Sequence, residues 1–291
     1  MFRSSLPVRL VLTAATAGVF LLTTTAAASA STWALATDGD PVASPAATVE
    51  LSGTIEVHAF TIRTPDSSAT RTVGTARVKR GAVRSQALAV NAPAVSPSPC
   101  TDRARKFTGG RWQETFFWSY RARTTPPNLT KAAVIRVLKR SVRNIVNVRN
   151  DCGHPDKVGA RAVYLGVTDR TPAPTDEGAC AERDGHNVIG FGKLPGGIAG
   201  LTCVWSIGDR IIEADIKLDR RSAWAVSLAS CNVQSMVEAV ATHEFGHAFG
   251  LGHVTESGHG RLTMSERLDG YCQLAEATLG KGDWLGLEAL Y

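Results

Sequence analysis

Three histidines and one glutamate lie close together near the end of the chain, in the stretch HEFGHAFGLGH that begins at His243. His243 and His247 are four residues apart, so on a helix both imidazoles project from the same face, one turn apart. Glu244 lies beside them. The pattern H-E-x-x-H is typical of a zinc site with a carboxylate base. Zinc suits imidazole ligands, and bound zinc acidifies water so that a carboxylate can take its proton.

The residues after this pattern predict a third ligand. Gly250 follows His247 by three residues, where a glycine can take the left-handed conformation that ends a helix. The chain can then turn back and bring His253 to the same ion. Structural zinc sites are usually closed by four ligands and rich in Cys. Three histidines beside a free Glu244 therefore predict an open, hydrolytic site.

The elements that must position this site are predicted after Cys100. Thr130 is a candidate N-cap, and apolar residues at helical spacing follow it. Alternating or apolar runs indicate the strands. Strand, helix, several strands and a second helix predict a layered α/β (α+β) domain. The predicted elements are a strand over 115–123, a helix over 131–149, strands over 160–168, 187–205 (with a turn) and 210–219, a loop over 171–185, the motif helix over 233–250 and a last helix over 281–291.

The part of the chain before Cys100 differs in composition. Arg3 and Arg9, a short apolar run and Ala28-Ser29-Ala30 predict a secretory signal peptide over 1–30. Residues 31–99 are rich in Ala, Thr, Ser, Val and Pro and end in a Pro-rich linker. Within them TVELSGTIEVHAFTI (48–62) alternates as strands do around a Ser-Gly turn, and the range is a pro-segment, a small N-terminal β module or mostly disorder. Lys79-Arg80 is a dibasic site that would suit processing. Residues 100–291 are predicted to be the zinc metallopeptidase domain.

Six cysteines support export, because an even number of cysteines without a C-x-x-C pair is typical of disulfides in an oxidising compartment. Six cysteines allow 15 pairings, which sequence alone cannot separate. Sequential pairing is the preferred hypothesis: Cys100–Cys152, Cys180–Cys203 and Cys231–Cys272.

The net charge of +6 is unevenly distributed. Residues 101–150 hold 12 Lys/Arg and 2 Asp/Glu, whereas residues 151–291 hold 12 and 19. A solvated basic helix face is the preferred interpretation, with weak attraction to anionic cell-wall polymers or acidic substrates as the alternative. No nucleic-acid motif accompanies the charge. We expect no membrane span in the mature chain, an extracellular location and a monomer.

The extended zinc motif, together with a methionine in RLTMSE, resembles the metzincin clan of zinc metalloproteases. The methionine is Met264, eleven residues after His253. The likeness covers roughly Trp112 to Tyr291 and is greatest to secreted bacterial matrixin-type peptidases. It includes EADIKL (Glu213 to Leu218) and the closing GDWLGLEALY.

The resemblance implies a metzincin-like catalytic domain with a twisted, mostly parallel sheet, an antiparallel edge strand, a first helix and an active-site helix. It implies zinc ligation by His243, His247 and His253, activation of the zinc-bound water by Glu244, and a hydrophobic floor formed by Met264. EADIKL would be the edge strand, to which a protein or peptide substrate adds as a strand. Residues after Met264, around 265–272, would set specificity.

Two features depart from relatives within the clan. Glu266 stands where astacin-like members have a tyrosine ligand, and residues 31–99 contain no cysteine that could block zinc. DCGHPD (151–156) has a passing likeness to that cysteine latch, but Cys152 is interpreted as half of a disulfide.

Weaker signals leave alternatives open. His186 could join a second metal site, although no companion histidine pattern accompanies it. Calcium could bind an acidic loop, although a solvated loop is preferred and no clear motif supports the ion; its carboxylates are Asp169, Asp176, Glu177, Glu182 and Asp184. The alternative functions are a non-catalytic secreted zinc-binding module associated with the cell wall, and a zinc hydrolase of non-peptide amides.

Overall fold

The computed structural model describes residues 55–65 and 96–291. The predicted signal peptide and most of 31–99 lie outside these ranges. The strands within them are β1 (Ile55–Arg63), β2 (Lys106–Phe107), β3 (Phe116–Tyr120), β4 (Ala162–Val167), β5 (Asn187–Gly192), β6 (Ile198–Ile207), β7 (Arg210–Asp219), β8 (Trp224–Ala225), β9 (Ser235–Met236) and β10 (Leu251–Gly252). The helices are α1 (Lys131–Val146), α2 (Val237–Ala248), the short α3 (Glu256–His259) and α4 (Lys281–Leu290).

Six strands form the main sheet, in the order β1-β6-β7-β5-β3-β4. The pairs β4–β3, β3–β5 and β5–β7 are parallel, whereas β6 is antiparallel to both β7 and β1. The predicted α/β class with a mostly parallel sheet is confirmed. Within residues 100–291, β6 is the antiparallel edge strand, and β1 adds a further strand outside it.

The assignment of EADIKL as this edge strand is wrong. These residues lie in β7, which pairs with β5 on one side and with β6 on the other. Eight of the ten residues of β7 are buried, as expected of an interior strand. The family resemblance implied an edge, but the charged side chains of this strand are paired inside the fold: Asp215, for example, accepts from the amides of Val188 and Ala173.

The two long helices pack together beside the sheet. The Thr130 side chain accepts from the Ala133 amide and caps α1, as predicted. The helix ends three residues earlier than predicted, because Val148 has a φ of 44° and cannot continue it. Helix α2 begins four residues later than predicted, because Ser235 and Met236 pair with β8. All twelve residues of α2 are buried.

Three disulfides join Cys100 to Cys152, Cys180 to Cys203 and Cys231 to Cys272. The sequential pairing is confirmed, and with it the interpretation of Cys152 as half of a disulfide rather than a latch. The helices of the described residues include none both long and apolar enough to cross a bilayer.

Candidate metal and catalytic centre

The three predicted ligands meet at one point. His243 and His247 project from the same face of α2, and their Nε2 atoms are 2.9 Å apart. The Nε2 atom of His253 lies 2.9 Å from that of His247 and 3.1 Å from that of His243. Among the described residues, these side chains are the one group of three that could hold a metal ion.

Gly250 allows His253 to reach this point. Its φ of 94° places it in the left-handed region, and its amide donates to the carbonyl of His247 at 3.0 Å. A side chain at this position would also collide with the backbone of Gly110. The chain therefore turns sharply at the end of α2, and β10 leads directly to His253.

Backbone carbonyls fix the tautomers of the two helical histidines. His243 Nδ1 lies 2.7 Å from the carbonyl oxygen of Thr263, and His247 Nδ1 lies 2.8 Å from that of Leu251. A carbonyl oxygen can only accept, so each Nδ1 carries the proton and each Nε2 exposes its lone pair. Metal-binding histidines are typically oriented by such outer hydrogen bonds.

All three imidazoles are neutral near pH 7. Burial holds the pKa values of His243 and His247 well below their usual range, and the neighbouring His253 lowers both further. Burial lowers the pKa of His253 to about 4, with smaller contributions from Arg63 and Lys106. A protonated imidazole could not bind metal, so these shifts keep the ring nitrogens available.

This arrangement fits zinc. The Nε2 lone pairs of His243 and His247 face each other, and neither Nε2 carries a proton to donate. The repulsion between the two lone pairs is unfavourable unless a cation lies between them. Zinc binds imidazole nitrogen at about 2.0–2.1 Å, and three nitrogens leave a fourth position for water or substrate. The donor set is therefore that of an open zinc site.

Glu244 lies in the same buried region, with no exposed surface. Burial raises the pKa of Glu244 to about 8. Two hydrogen bonds lower this pKa: one from the Thr202 hydroxyl to Oε2 and one from the backbone amide of Ile62. Its Oε1 atom has no hydrogen-bond partner among the described residues. A side chain at Gly200 would come within 2.9 Å of the Glu244 Cδ atom, so glycine keeps β6 close to the carboxylate.

Met264 packs against α2 at Gly246, which lies between His243 and His247. A side chain at Gly246 would overlap the Met264 sulfur, and Met264 is 1% exposed. The Met264 carbonyl accepts from the amide of Val254, the residue after His253. The methionine thus contacts the helix and supports the segment that carries the third histidine.

Asp283, at the start of α4, holds the methionine segment in place. Its carboxylate accepts from the amides of Thr263 at 2.9 Å, Met264 at 3.3 Å and Gly280 at 3.0 Å. Burial raises its pKa to about 6, and the three amides oppose this shift. Because the Thr263 carbonyl also fixes His243, the carboxylate is coupled to the histidine cluster through one residue.

We expect Asp283→Ala to lower the free energy of unfolding by about 3–5 kcal/mol, because three buried amides lose their acceptor. Zinc affinity should fall by about 10- to 100-fold, because the partner of His243 loses its support. Chemical denaturation and zinc titration measure both effects. Glu288→Ala, an exposed change on the same helix, is the control. Equal behaviour of the two variants would contradict the proposed link.

The other predicted candidates are not brought to this centre. His186 contacts Asp184 at the surface. The carboxylates of the acidic loop form no group of three ligands within the described part of the chain. Three of them instead pair with basic residues: Asp169 with Arg123, Asp176 with Lys217 and Asp184 with Arg170.

Several residues at the centre were not predicted from the sequence. Thr202 and Gly200 lie on β6, far from the motif in sequence, and no local pattern links them to Glu244. Thr263 and Leu251 act through backbone carbonyls, which every residue type supplies. Asp283 lies in the first turn of α4, three residues after Gly280. Acidic residues are favoured in the first turn of a helix, so its capping role could have been predicted from the sequence.

One family model matches part of the chain. The family model described as Matrixin matches residues 196–291. The matched region begins just before β6, runs to the end of the chain, and contains the three histidines, Glu244 and Met264. No curated protein matches the sequence.

Proposed function

Because residues 196–291 carry a matrixin-type domain of the metzincin clan of metalloproteases, we propose that the protein is a secreted zinc endopeptidase. The observation that carries the proposal is the convergence of three neutral imidazoles beside a buried carboxylate. In this proposal His243, His247 and His253 hold zinc, and Glu244 is the general base and acid. Gly250 and Met264 have structural roles.

The chemistry divides between the ion and the chain. Zinc, when bound, would acidify water and polarise the peptide carbonyl. Glu244 would take the proton of the attacking water and deliver it to the leaving amide nitrogen. The Thr202 hydroxyl on Oε2 would leave Oε1 directed to the water.

Substrate would bind along β6, the antiparallel strand whose Gly200 and Thr202 lie against Glu244. An extended peptide adding to this strand would gain main-chain hydrogen bonds, and its side chains would enter pockets at alternate positions. Glycine at position 200 would let the peptide backbone approach the carboxylate. This supports hydrolysis of peptide bonds in extended segments.

Export and processing complete the proposal. Residues 1–30 would be the signal peptide, 31–99 a pro-segment and 100–291 the catalytic domain, active as a monomer. The three disulfides support an oxidising, extracellular location.

The test is cleavage of an unfolded general protein substrate, measured together with zinc content. The expected result is one zinc per chain, cleavage that stops on chelation, and recovery when zinc is restored. A chain that binds one zinc and cleaves no peptide bond would favour the binding-module or non-peptide alternatives. A chain without zinc affinity would overturn the proposal.

A further inference from the structure

Strand β1 covers the edge of the catalytic sheet. It pairs antiparallel with β6 from Ile55 opposite Ile207 to Ile62 opposite Gly200. This is the edge to which a substrate strand would add. His243, Glu244 and His247 have no exposed surface while β1 is in place. Strand β1, which lies more than thirty positions before the catalytic domain in sequence, therefore occupies the expected substrate site.

The register brings one peptide bond of β1 to the catalytic groups. Phe60 lies opposite Thr202, whose hydroxyl donates to Glu244, and Ile62 lies opposite Gly200, which contacts the same carboxylate. The bond between Thr61 and Ile62 thus lies beside Glu244.

Both sides of this bond act on the centre. The Thr61 carbonyl interacts with the ring of His253, and the Ile62 amide interacts with the carboxylate of Glu244. These are the two groups that a bond awaiting hydrolysis must present: a carbonyl beside the metal-binding histidines and an amide nitrogen beside the acid. Phe60, one residue earlier, stacks on His247 with ring centroids 4.5 Å apart.

The chain beyond Ile62 is held on both sides. The Arg63 amide donates to the Glu266 carbonyl at 3.1 Å, and the Leu268 amide donates to the Arg63 carbonyl at 3.2 Å. The Thr64 amide donates to the Gly197 carbonyl at 3.0 Å, just before β6. Residues 266–268 belong to the segment after Met264 that was expected to set specificity. The strand therefore runs between β6 and this segment.

Ile62 fills the apolar position next to the catalytic groups. Its side chain is fully buried and joins the main hydrophobic core, to which Leu268 of the specificity segment also belongs. Val57, on the same strand, is 47% exposed. Position 62 is thus the apolar anchor of β1.

We propose that the protein is its own first substrate and hydrolyses its Thr61–Ile62 bond. The proposal rests on the proposed endopeptidase function. Water adds to the carbonyl carbon of Thr61, and the bond from this carbon to the Ile62 nitrogen breaks. Glu244 transfers the water proton to that nitrogen, leaving a carboxylate on Thr61 and an amine on Ile62. The cut separates residues 1–61 from the chain and opens the edge of β6.

Before the cut, an external substrate must displace β1, so the full chain is latent. Because the bond is presented within the same molecule, its hydrolysis should follow first-order kinetics, with a rate constant unchanged by tenfold dilution.

The first measurement is independent of activity. Amide hydrogen exchange of the zinc-loaded Glu244→Ala protein, which keeps β1 intact, should show protection of residues 55–63. Adding Ile62→Asp should raise exchange there at least tenfold, because a charge enters the apolar position. Val57→Asp, the same kind of change at an exposed position, should leave it unaltered. Unprotected amides at 55–63 in the Glu244→Ala parent would overturn the proposal, whether or not the Ile62 variant folds.

The second measurement follows the wild-type chain by intact mass and N-terminal sequencing. The expected product begins at Ile62, and Glu244→Ala yields none. If added protein is cleaved while the Thr61–Ile62 bond stays intact, or if maturation occurs only at Lys79-Arg80, the self-cleavage proposal fails and the endopeptidase function stands. If zinc is bound but neither the added protein nor the chain's own bond is cut, both proposals fail.

Discussion

Glu244→Gln is expected to lower kcat/KM for peptide hydrolysis on the order of 10³-fold, with zinc binding retained. The amide has nearly the same shape as the carboxylate and can keep the contact with the Thr202 hydroxyl through its carbonyl oxygen. It cannot take a proton from water, and general base catalysis contributes about 10²–10⁴-fold. Initial rates on a fluorogenic peptide with an aliphatic residue after the scissile bond measure the loss. Wild type and variant are compared without residues 1–61, so that neither is blocked by β1.

The matched control is Glu288→Gln, the same change on the exposed face of α4. This variant should retain wild-type rates. Both variants should bind one zinc per chain and unfold at similar temperatures, which separates loss of chemistry from loss of structure. Wild-type rates from a zinc-loaded Glu244→Gln protein would exclude Glu244 as the base.

His253→Ala is expected to weaken zinc binding by at least 100-fold. Loss of an outer-shell partner already costs about 10- to 100-fold in metal affinity, and a direct ligand contributes more. Zinc at 100 times its dissociation constant stabilises the fold by about 2.7 kcal/mol. The wild type should therefore gain this amount when zinc is added, and the variant should lose nearly all of the gain. Thermal unfolding with and without zinc measures the difference.

His186→Ala provides the comparison, because this histidine contacts Asp184 at the surface and is absent from the cluster. Its zinc-dependent stabilisation should equal that of the wild type. A His253 variant that keeps the full zinc effect would show that the ion binds elsewhere.

The elements and the site spacing were predictable because they depend on neighbours in sequence. The Thr130 cap, the periodicity of α1 and the spacing of His243 and His247 are local features, and the structure places them as expected. Gly250 was predictable for the same reason, since a left-handed helix end depends on one residue. Disulfide pairing was favoured by order along the chain and was correct.

The partners across the sheet were not predictable in this way. Strand pairing joins residues that are distant in sequence, so the alternation in TVELSGTIEVHAFTI (48–62) predicts strands without identifying their neighbours. The misassignment of EADIKL has the same origin. The buried carboxylates of β7 accept from the amides of Asp184, in the loop before β5, and of Val188, in β5 itself, and neither residue is part of the pattern. The position of Ile62 beside Glu244 depends on which strand β1 pairs with and in which register, so only the structure of the sheet shows it.

The disulfide between Cys231 and Cys272 turns the catalytic segment into a covalent ring. The ring contains α2, the three histidines, Glu244 and Met264, and its cysteines are 41 positions apart. In the chain-entropy model, closing a loop of this length stabilises the fold by about 4 kcal/mol. A protease that nicks the ring once between these cysteines leaves every ligand in a single covalent piece. One cut within this ring therefore cannot separate the three histidines from one another.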